Sequence, residues 1–209
     1  MQTDAIILDV DGTLWNSTGI VAKAWTRAVH EGGGTTVITP EMLQEQFGRT
    51  MKVIADNLLG DLPEAQRYGI MDVCCRYEHE ALRADECRIC YPGVIDTIQK
   101  LAERTKLMIV SNCQSGYIEL FLEKTGLGAC ITDKECYGDT KKNKDENIRL
   151  VVERNHLKHP IYVGDTQGDC DAAGKAGVPF VFASYGFGNA DHCDAVLEKF
   201  EDLFTLTEA

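Results

Sequence analysis

The chain has 209 residues, 44% of them hydrophobic, and a formal charge of -12. That length allows one sizeable core, or a core with a small second unit, and the apolar content excludes a disordered polar chain. The acidic balance argues against a protein that grips DNA or RNA by its phosphates, because such binding relies on patches of Lys and Arg. A small anion remains an acceptable partner where positive charge is local or a metal is present.

The nine cysteines are an odd number. Met1-Gln2-Thr3-Asp4 carries no basic region leading into a cleavable apolar segment, and no apolar run approaches the ~20 residues of a membrane span. A cytoplasmic protein with no membrane partner is therefore expected, with its cysteines acting as small buried hydrophobes. Cys87-Arg88-Ile89-Cys90 has metal-ligand spacing but lacks a second pair, which Cys74-Cys75 does not supply, so it reads as structural. Asn16-Ser17-Thr18 fits a glycosylation sequon that a chain without a secretory signal does not use.

In chain order, the first element is the apolar run Ala5-Ile6-Ile7-Leu8, which reads as a strand buried on both faces. It delivers Asp9 and Asp11 at its carboxyl end, and Gly12-Thr13 turns the chain. No Glu closes a twelve-residue loop from these acids, which removes a calcium-loop reading. Ser17 or Thr18 then caps a helix carrying Val21, Trp25 and Val29, stopped by Gly32-Gly33-Gly34. Thr39-Pro40 starts a second helix with Leu43 and Phe47, ending at Gly48. Val53, Ile54 and Leu58 mark a third, and a fourth from Pro63 carries Ile70, Cys74, Tyr77 and Ala81. These pieces predict a small helical bundle with no strand of its own.

An alternating pattern resumes at Tyr91-Pro92-Gly93. A helix through Ile95, Ile98, Leu101 and Ala102 precedes a second buried strand, Lys106 to Asn112. A helix through Ile118 and Leu122 follows, and Cys130-Ile131-Thr132 is a weaker strand. Asp145 and Glu146 open a helix with acids in its first turn, where the dipole favours them. Pro160 to Asp165 is another strand with an acid at its end. A short helix of Ala and Gly leads to the strand Val178 to Ala183, and the tail from Ala195 to Phe204 reads as a final amphipathic segment. Strands alternating with helices predict an α/β fold, a Rossmann-like parallel sheet core with an inserted helical-bundle cap. The expected division is a core of residues 1–16 and 90–209 and a cap of residues 17–89.

In such a sheet, ligands sit beyond the carboxyl ends of the strands. Four ends offer polar groups there: Asp9 and Asp11, Ser111 and Asn112, Lys144, and Asp165 with Asp169. Singly, each has an ordinary explanation as a helix cap, a turn or a solvated charge. Together they meet one requirement, because two carboxylates about 4 Å apart repel by ~4 kcal/mol at an effective dielectric of 20 and need a cation between them. Hard oxygen ligands favour Mg²⁺, which also accepts a phosphate oxygen.

The ordered motifs resemble those of the haloacid dehalogenase-like hydrolases: Asp9-Val10-Asp11-Gly12-Thr13, Ser111-Asn112, a Lys opening a helix, and Gly164-Asp165-Thr166-Gln167-Gly168-Asp169. The inserted helices resemble the cap of phosphoglycolate phosphatase and β-phosphoglucomutase. The resemblance implies Asp9 as nucleophile, forming an aspartyl-phosphate, and Asp11 as general acid and then base. It implies a Mg²⁺ site of Asp9, the Asp11 backbone carbonyl and Asp165, with Asp169 and Thr166 behind them, and Ser111 and Lys144 on the phosphoryl oxygens. Asn112 belongs to the substrate-binding positions. Lys144 is preferred over Lys141 and Lys142 because it immediately precedes the helix signal. Gly48-Arg49-Thr50-Met51-Lys52 resembles a substrate-specificity loop in which Arg49 meets a second anionic group.

An acid at Asp11 favours phosphate ester chemistry over dehalogenation. The expected function is a Mg²⁺-dependent phosphatase for a small phosphorylated metabolite, like phosphoglycolate phosphatase, with a sugar phosphomutase as the alternative. A signalling receiver domain also clusters Asp, Ser or Thr, and Lys on a parallel sheet, but the inserted helices and the Asp165-Asp169 pair argue against it. A purely structural relative is the remaining alternative, although no core position is degraded.

Overall fold

The computed structural model describes residues 3–86 and 88–207. Cys87, one half of the Cys87-x-x-Cys90 spacing, lies outside them, as do Met1 and Gln2. Among the described residues a six-stranded, all-parallel sheet runs in the order β3-β2-β1-β4-β5-β6. Its strands are β1 (Ala5–Leu8), β2 (Lys106–Ser111), β3 (Asp133–Cys136), β4 (Pro160–Gly164), β5 (Phe180–Ala183) and β6 (Ala195–Leu197).

The apolar runs predicted as buried strands take the middle of the sheet, since a parallel sheet is covered on both faces. Successive residues of β1 serve different layers: Ile6 and Leu8 join one apolar cluster, and Ala5 and Ile7 the other. Strand β1 pairs with β2 on one side and β4 on the other, in the registers Leu8↔Ile109 and Leu8↔Val163. The strand order reverses direction beside β1, and the crevice of a doubly wound sheet opens at such a switch point. Asp9 and Asp165 are the first residues beyond β1 and β4.

Five helices lie between β1 and β2 among the described residues, and the first four form the insertion: α1 (Thr18–Glu31), α2 (Pro40–Gln46), α3 (Met51–Leu58) and α4 (Glu64–Ala84). Thr39 caps α2, its side chain accepting from Met42 N at 3.3 Å, and Pro40 takes the first helical position, where a missing N–H costs nothing. The chain leaves and re-enters the sheet unit along two antiparallel segments. Asn16 N donates to Ile89 O at 2.8 Å and Tyr91 N to Leu14 O at 3.0 Å, and Trp15 bridges Cys90. The remaining helices are α5 (Val94–Ala102), α6 (Tyr117–Thr125), α7 (Tyr137–Thr140), α8 (Lys144–Arg154), α9 (Gln167–Ala176) and α10 (Asp202–Leu206). No helix among the described residues is long and apolar enough to cross a membrane.

Several elements differ from expectation for identifiable reasons. Cys130-Ile131-Thr132 is not a strand; a 3-10 turn spans Gly128–Cys130, and the edge strand β3 begins at Asp133. As an edge strand it is polar, and Arg154 reaches Asp133 and Glu135 at 2.7 Å, so an apolar-run criterion passes over it. The tail from Ala195 divides into β6 and α10. On α5, Ile95 faces solvent while Val94 and Thr97 are buried. On α4 the buried stripe is Ile70, Cys74, Glu78 and Leu82, so Tyr77 and Ala81 are only partly covered and an acid occupies a core position.

Candidate active site

Asp9, Asp165 and Asp169 present carboxylate oxygens that all lie within 4.8 Å of one another, and all three residues are buried. The cation among them is Lys144, itself 4% exposed, whose Nζ donates to Asp9 Oδ1 at 2.9 Å and to Asp169 Oδ1 at 2.5 Å. Lys144 is the first residue of α8, the end of a helix whose dipole disfavours a cation. Its two carboxylate partners account for the placement, and they hold its pKa well above the ordinary lysine range despite burial. Lys141 and Lys142 are exposed, and Lys141 turns back to donate to Gly138 O at 2.6 Å.

The other acids are held from behind. Asp165 Oδ1 accepts from Thr13 Oγ1 at 3.2 Å, and its Oδ2 accepts from Phe187 N at 2.8 Å. Asp169 Oδ2 accepts from Asp165 N, Thr166 N and Thr166 Oγ1 at 3.2, 3.1 and 2.7 Å, closing a capping box at the start of α9. Burial pushes the Asp165 carboxyl well above the carboxylate range, helped by the negative charges of Asp169 and Asp9. Gly12 makes the turn beneath Asp165 possible. It has φ +82°, and a Cβ there would stand 2.1 Å from Asp165 Oδ2.

Asp11 is separate from this cluster. Its Oδ1 accepts from Ser17 Oγ at 2.7 Å, Tyr117 Oη at 2.8 Å and Trp15 Nε1 at 3.1 Å, while Oδ2 carries no hydrogen bond among the described residues. Burial raises its pKa to about 7; the three donors oppose that shift, and the nearby Asp9 charge adds to it. Asp9 is also pushed up by burial, but Lys144 pulls it back toward ionisation, with the Ser111 hydroxyl helping. The two acids of Asp9-Val10-Asp11 thus have different environments. One lies against an ammonium with its pKa raised to about 6, and the other is bonded only to neutral donors with its pKa raised to about 7.

Above these groups, the inserted helices close onto the sheet. Asn112 Nδ2 donates to Gly48 O at 2.8 Å, so the residue expected to bind substrate ties the two units together. Phe47 meets Phe187 with ring centroids 6.4 Å apart. The cleft left between them has a volume of about 20 Å³, enough for about one water, and is lined by Asp11, Arg49, Glu78, Ser111, Asn112 and Gln114, among others. Arg49 lies at its exposed mouth.

Motif reading missed the partners of Asp11 and Glu78. Trp15 and Ser17 were accessible in principle, lying four and six residues beyond Asp11 at a chain reversal. Tyr117 arrives from α6 with no local signal. Glu78 was visible as an acid in the 70-74-78-82 stripe.

A doubly wound sheet with a buried carboxylate and ammonium centre at its switch point, roofed by inserted helices, defines an α/β enzyme scaffold. The chain belongs to the haloacid dehalogenase-like hydrolase family, whose model it matches over residues 6–183. This agrees with the resemblance in the motifs. The phosphoglycolate phosphatase of Rhodobacter capsulatus is 27% identical over 97% of this chain and 94% of its own length. That of Salmonella typhimurium is 26% identical, over 95% and 90%. Crystal structures of a predicted phosphoglycolate phosphatase from Haemophilus somnus and of CbbY from Rhodobacter sphaeroides share the fold. The first has a TM-score of 0.84 at 22% identity, covering 99% of both chains. The second has a TM-score of 0.82 at 18% identity, covering 97% and 96%.

Proposed function

We propose that the chain is a cytoplasmic, Mg²⁺-dependent phosphatase that hydrolyses a small phosphorylated metabolite through an aspartyl-phosphate on Asp9. The observation that carries this reading is the contrast in partners: Asp9 pairs with the Lys144 ammonium, whereas Asp11 accepts from the neutral donors Ser17, Tyr117 and Trp15. Neighbouring titratable groups with contrasting environments mark acid and base roles. The relatives named phosphoglycolate phosphatase support the reaction class. Free buried thiols at Cys74, Cys113, Cys136 and Cys170 suit a reducing compartment.

In this reading Asp9 attacks phosphorus as the ester oxygen departs, and Asp11 gives that oxygen its proton. Asp11 then takes a proton from water, whose oxygen attacks the phosphorus of the aspartyl-phosphate, releasing inorganic phosphate and restoring Asp9. Lys144 and Ser111 hold the phosphoryl oxygens. The hard oxygen donors of Asp9 and Asp165, with Asp169 behind them, fit Mg²⁺, as does a backbone carbonyl at Asp11. When bound, the ion neutralises charge on the acids and on the phosphoryl group. Residues 17–89 act as a cap over the core of 1–16 and 90–209, limiting water during the first step.

The test is phosphate release from a panel of phosphorylated metabolites, including 2-phosphoglycolate and sugar phosphates. Asp9→Asn should lose activity by on the order of 10⁴-fold or more without unfolding, and EDTA should silence the wild type until Mg²⁺ is restored. Full activity in either condition overturns the mechanism. Glucose 6-phosphate formed from β-glucose 1-phosphate would identify a mutase instead.

A further inference from the structure

Glu78 is an acid where α4 otherwise buries apolar residues, and it is 2% exposed. A buried carboxyl group costs free energy unless its hydrogen-bonding capacity is met. The protein meets only part of it. Trp25 Nε1 donates to Glu78 Oε2 at 2.8 Å, and otherwise the carboxyl is faced by the Gln114 amide. No Lys or Arg among the described residues forms an ion pair with it, and burial pushes its pKa up to about 8, with the Asp11 charge adding to the shift.

Two further groups on the wall of the same cleft are incomplete. Asn112 Oδ1 is buried without a partner; because Asn112 Nδ2 is committed to Gly48 O, the orphan atom is an acceptor. Gln114 faces Glu78 closely enough to favour its ionised form, yet the buried Gln114 Nε2 completes no hydrogen bond. The cleft therefore offers an unfilled acceptor, Asn112 Oδ1, and an unfilled donor, Gln114 Nε2, beside the Glu78 carboxyl and Asp11.

This set discriminates between ligand groups by the bonds each can make. A carboxylate only accepts, so it would leave the buried Asn112 Oδ1 unmet. An ammonium only donates, which leaves Gln114 Nε2 unmet. A hydroxyl both donates and accepts. Arg49 is the cation nearest to hand for a carboxylate, but it sits at the exposed mouth, where an ion pair is weakened by water. We propose that Glu78, with Asn112 and Gln114, reads a hydroxyl on the leaving group, so that the preferred substrate is a small polyol phosphate and not a phosphorylated carboxylic acid. The inference rests on the phosphatase reading above and specifies its substrate class.

The experiment measures kcat/KM with Mg²⁺ for sn-glycerol 3-phosphate, propyl phosphate and 2-phosphoglycolate, in the wild type, Glu78→Gln and Glu78→Leu, with urea unfolding of each. A site built to hydrogen-bond a hydroxyl rejects the analogue that lacks it, so a wild-type preference for glycerol phosphate over propyl phosphate on the order of 100-fold is expected. In Glu78→Leu that ratio should fall to within a few-fold of one, with Glu78→Gln between. A structural role would lower both rates together and leave the ratio intact, which overturns the proposal. A wild-type preference for 2-phosphoglycolate, or equal turnover of propyl and glycerol phosphate, overturns it without any variant and leaves the phosphatase reading standing. Absence of phosphate release from all three esters overturns the proposal, and absence from the whole metabolite panel overturns the phosphatase reading as well.

Discussion

Replacing Lys144 by Met removes the charge and keeps most of the volume, which isolates the electrostatics of the site. Lys144 Nζ lies 2.9 Å from Asp9 and 2.5 Å from Asp169, and all three groups are buried. At an effective dielectric of 20, each contact represents a gross attraction of ~6 kcal/mol or slightly more. Desolvation of the three groups offsets much of that in the wild type. In the variant the attraction disappears while the desolvation cost of the carboxylates remains, because they stay buried with no cation. Breaking a buried pair in this way costs about 3–5 kcal/mol.

Lys144→Met should therefore lose about that much unfolding free energy in EDTA at pH 8, read by urea denaturation. The loss should shrink toward pH 5, because the orphaned carboxyls then fold as neutral acids. Mg²⁺ should stabilise the variant more than the wild type, since the ion no longer competes with an ammonium for Asp9. Activity should nevertheless fall by about 10²–10³-fold, the typical effect of losing one charge-stabilising donor. Equal stability of variant and wild type in EDTA at pH 8 would refute the electrostatic account. So would a smaller response to Mg²⁺ in the variant.

Other perturbations test separate parts of the site. Asp11→Asn should slow hydrolysis of alkyl phosphates by about 10²–10⁴-fold but affect p-nitrophenyl phosphate far less, because a good leaving group departs without a proton; equal losses on both would remove Asp11 from that role. Gly12→Ala forces a side chain into φ +82° and onto Asp165, so the folded protein should be destabilised by more than the roughly 1–2 kcal/mol of the backbone term alone, as measured by thermal unfolding. For Glu78 the folded pKa of about 8 exceeds the ordinary value of 4.5, so the native state retains a proton that the unfolded chain releases. Its contribution is full below about pH 4.5 and is lost as pH rises toward 8, with a limiting slope of about 1.4 kcal/mol per pH unit. Glu78→Gln should flatten that part of the urea stability profile, and an unchanged profile would contradict the buried-acid assignment.

The acid cluster of the candidate site was legible because strand ends and acids coincide in sequence. Asp9 and Asp165 follow apolar runs that can only be interior strands, and Lys144 precedes a helix signal. Spacing alone left Lys141 open; in the fold Lys144 lies against Asp9 and Asp169, while the exposed Lys141 turns toward Gly138. Periodicity failed where exposure was asymmetric. The edge strand β3 needs no apolar run, because β2 alone pairs with it and charged side chains cover it. The hydrogen-bonding environment of Asp11 was out of reach. It depends on Tyr117, more than a hundred residues beyond Asp11, placing its hydroxyl on the same oxygen that Ser17 and Trp15 already bond.

Glu78 belongs to a different kind of legibility, in which a residue breaks the local rule that the rest of its element obeys. Ile70, Cys74 and Leu82 describe a face built for burial, and a leucine at 78 would continue it. Such a leucine would remove the cost of a buried acid and lose only the acceptor for Trp25 Nε1. Glu78→Leu is therefore expected to be at least as stable as the wild type at pH 8, despite its poorer discrimination between esters. A variant that gained stability and lost substrate preference together would locate the cost of Glu78 in the empty cleft and its return in the bound state. The contrary result, a less stable variant with unchanged preference, would make the acid a structural partner of Trp25 and return the choice of substrate to Arg49 at the mouth.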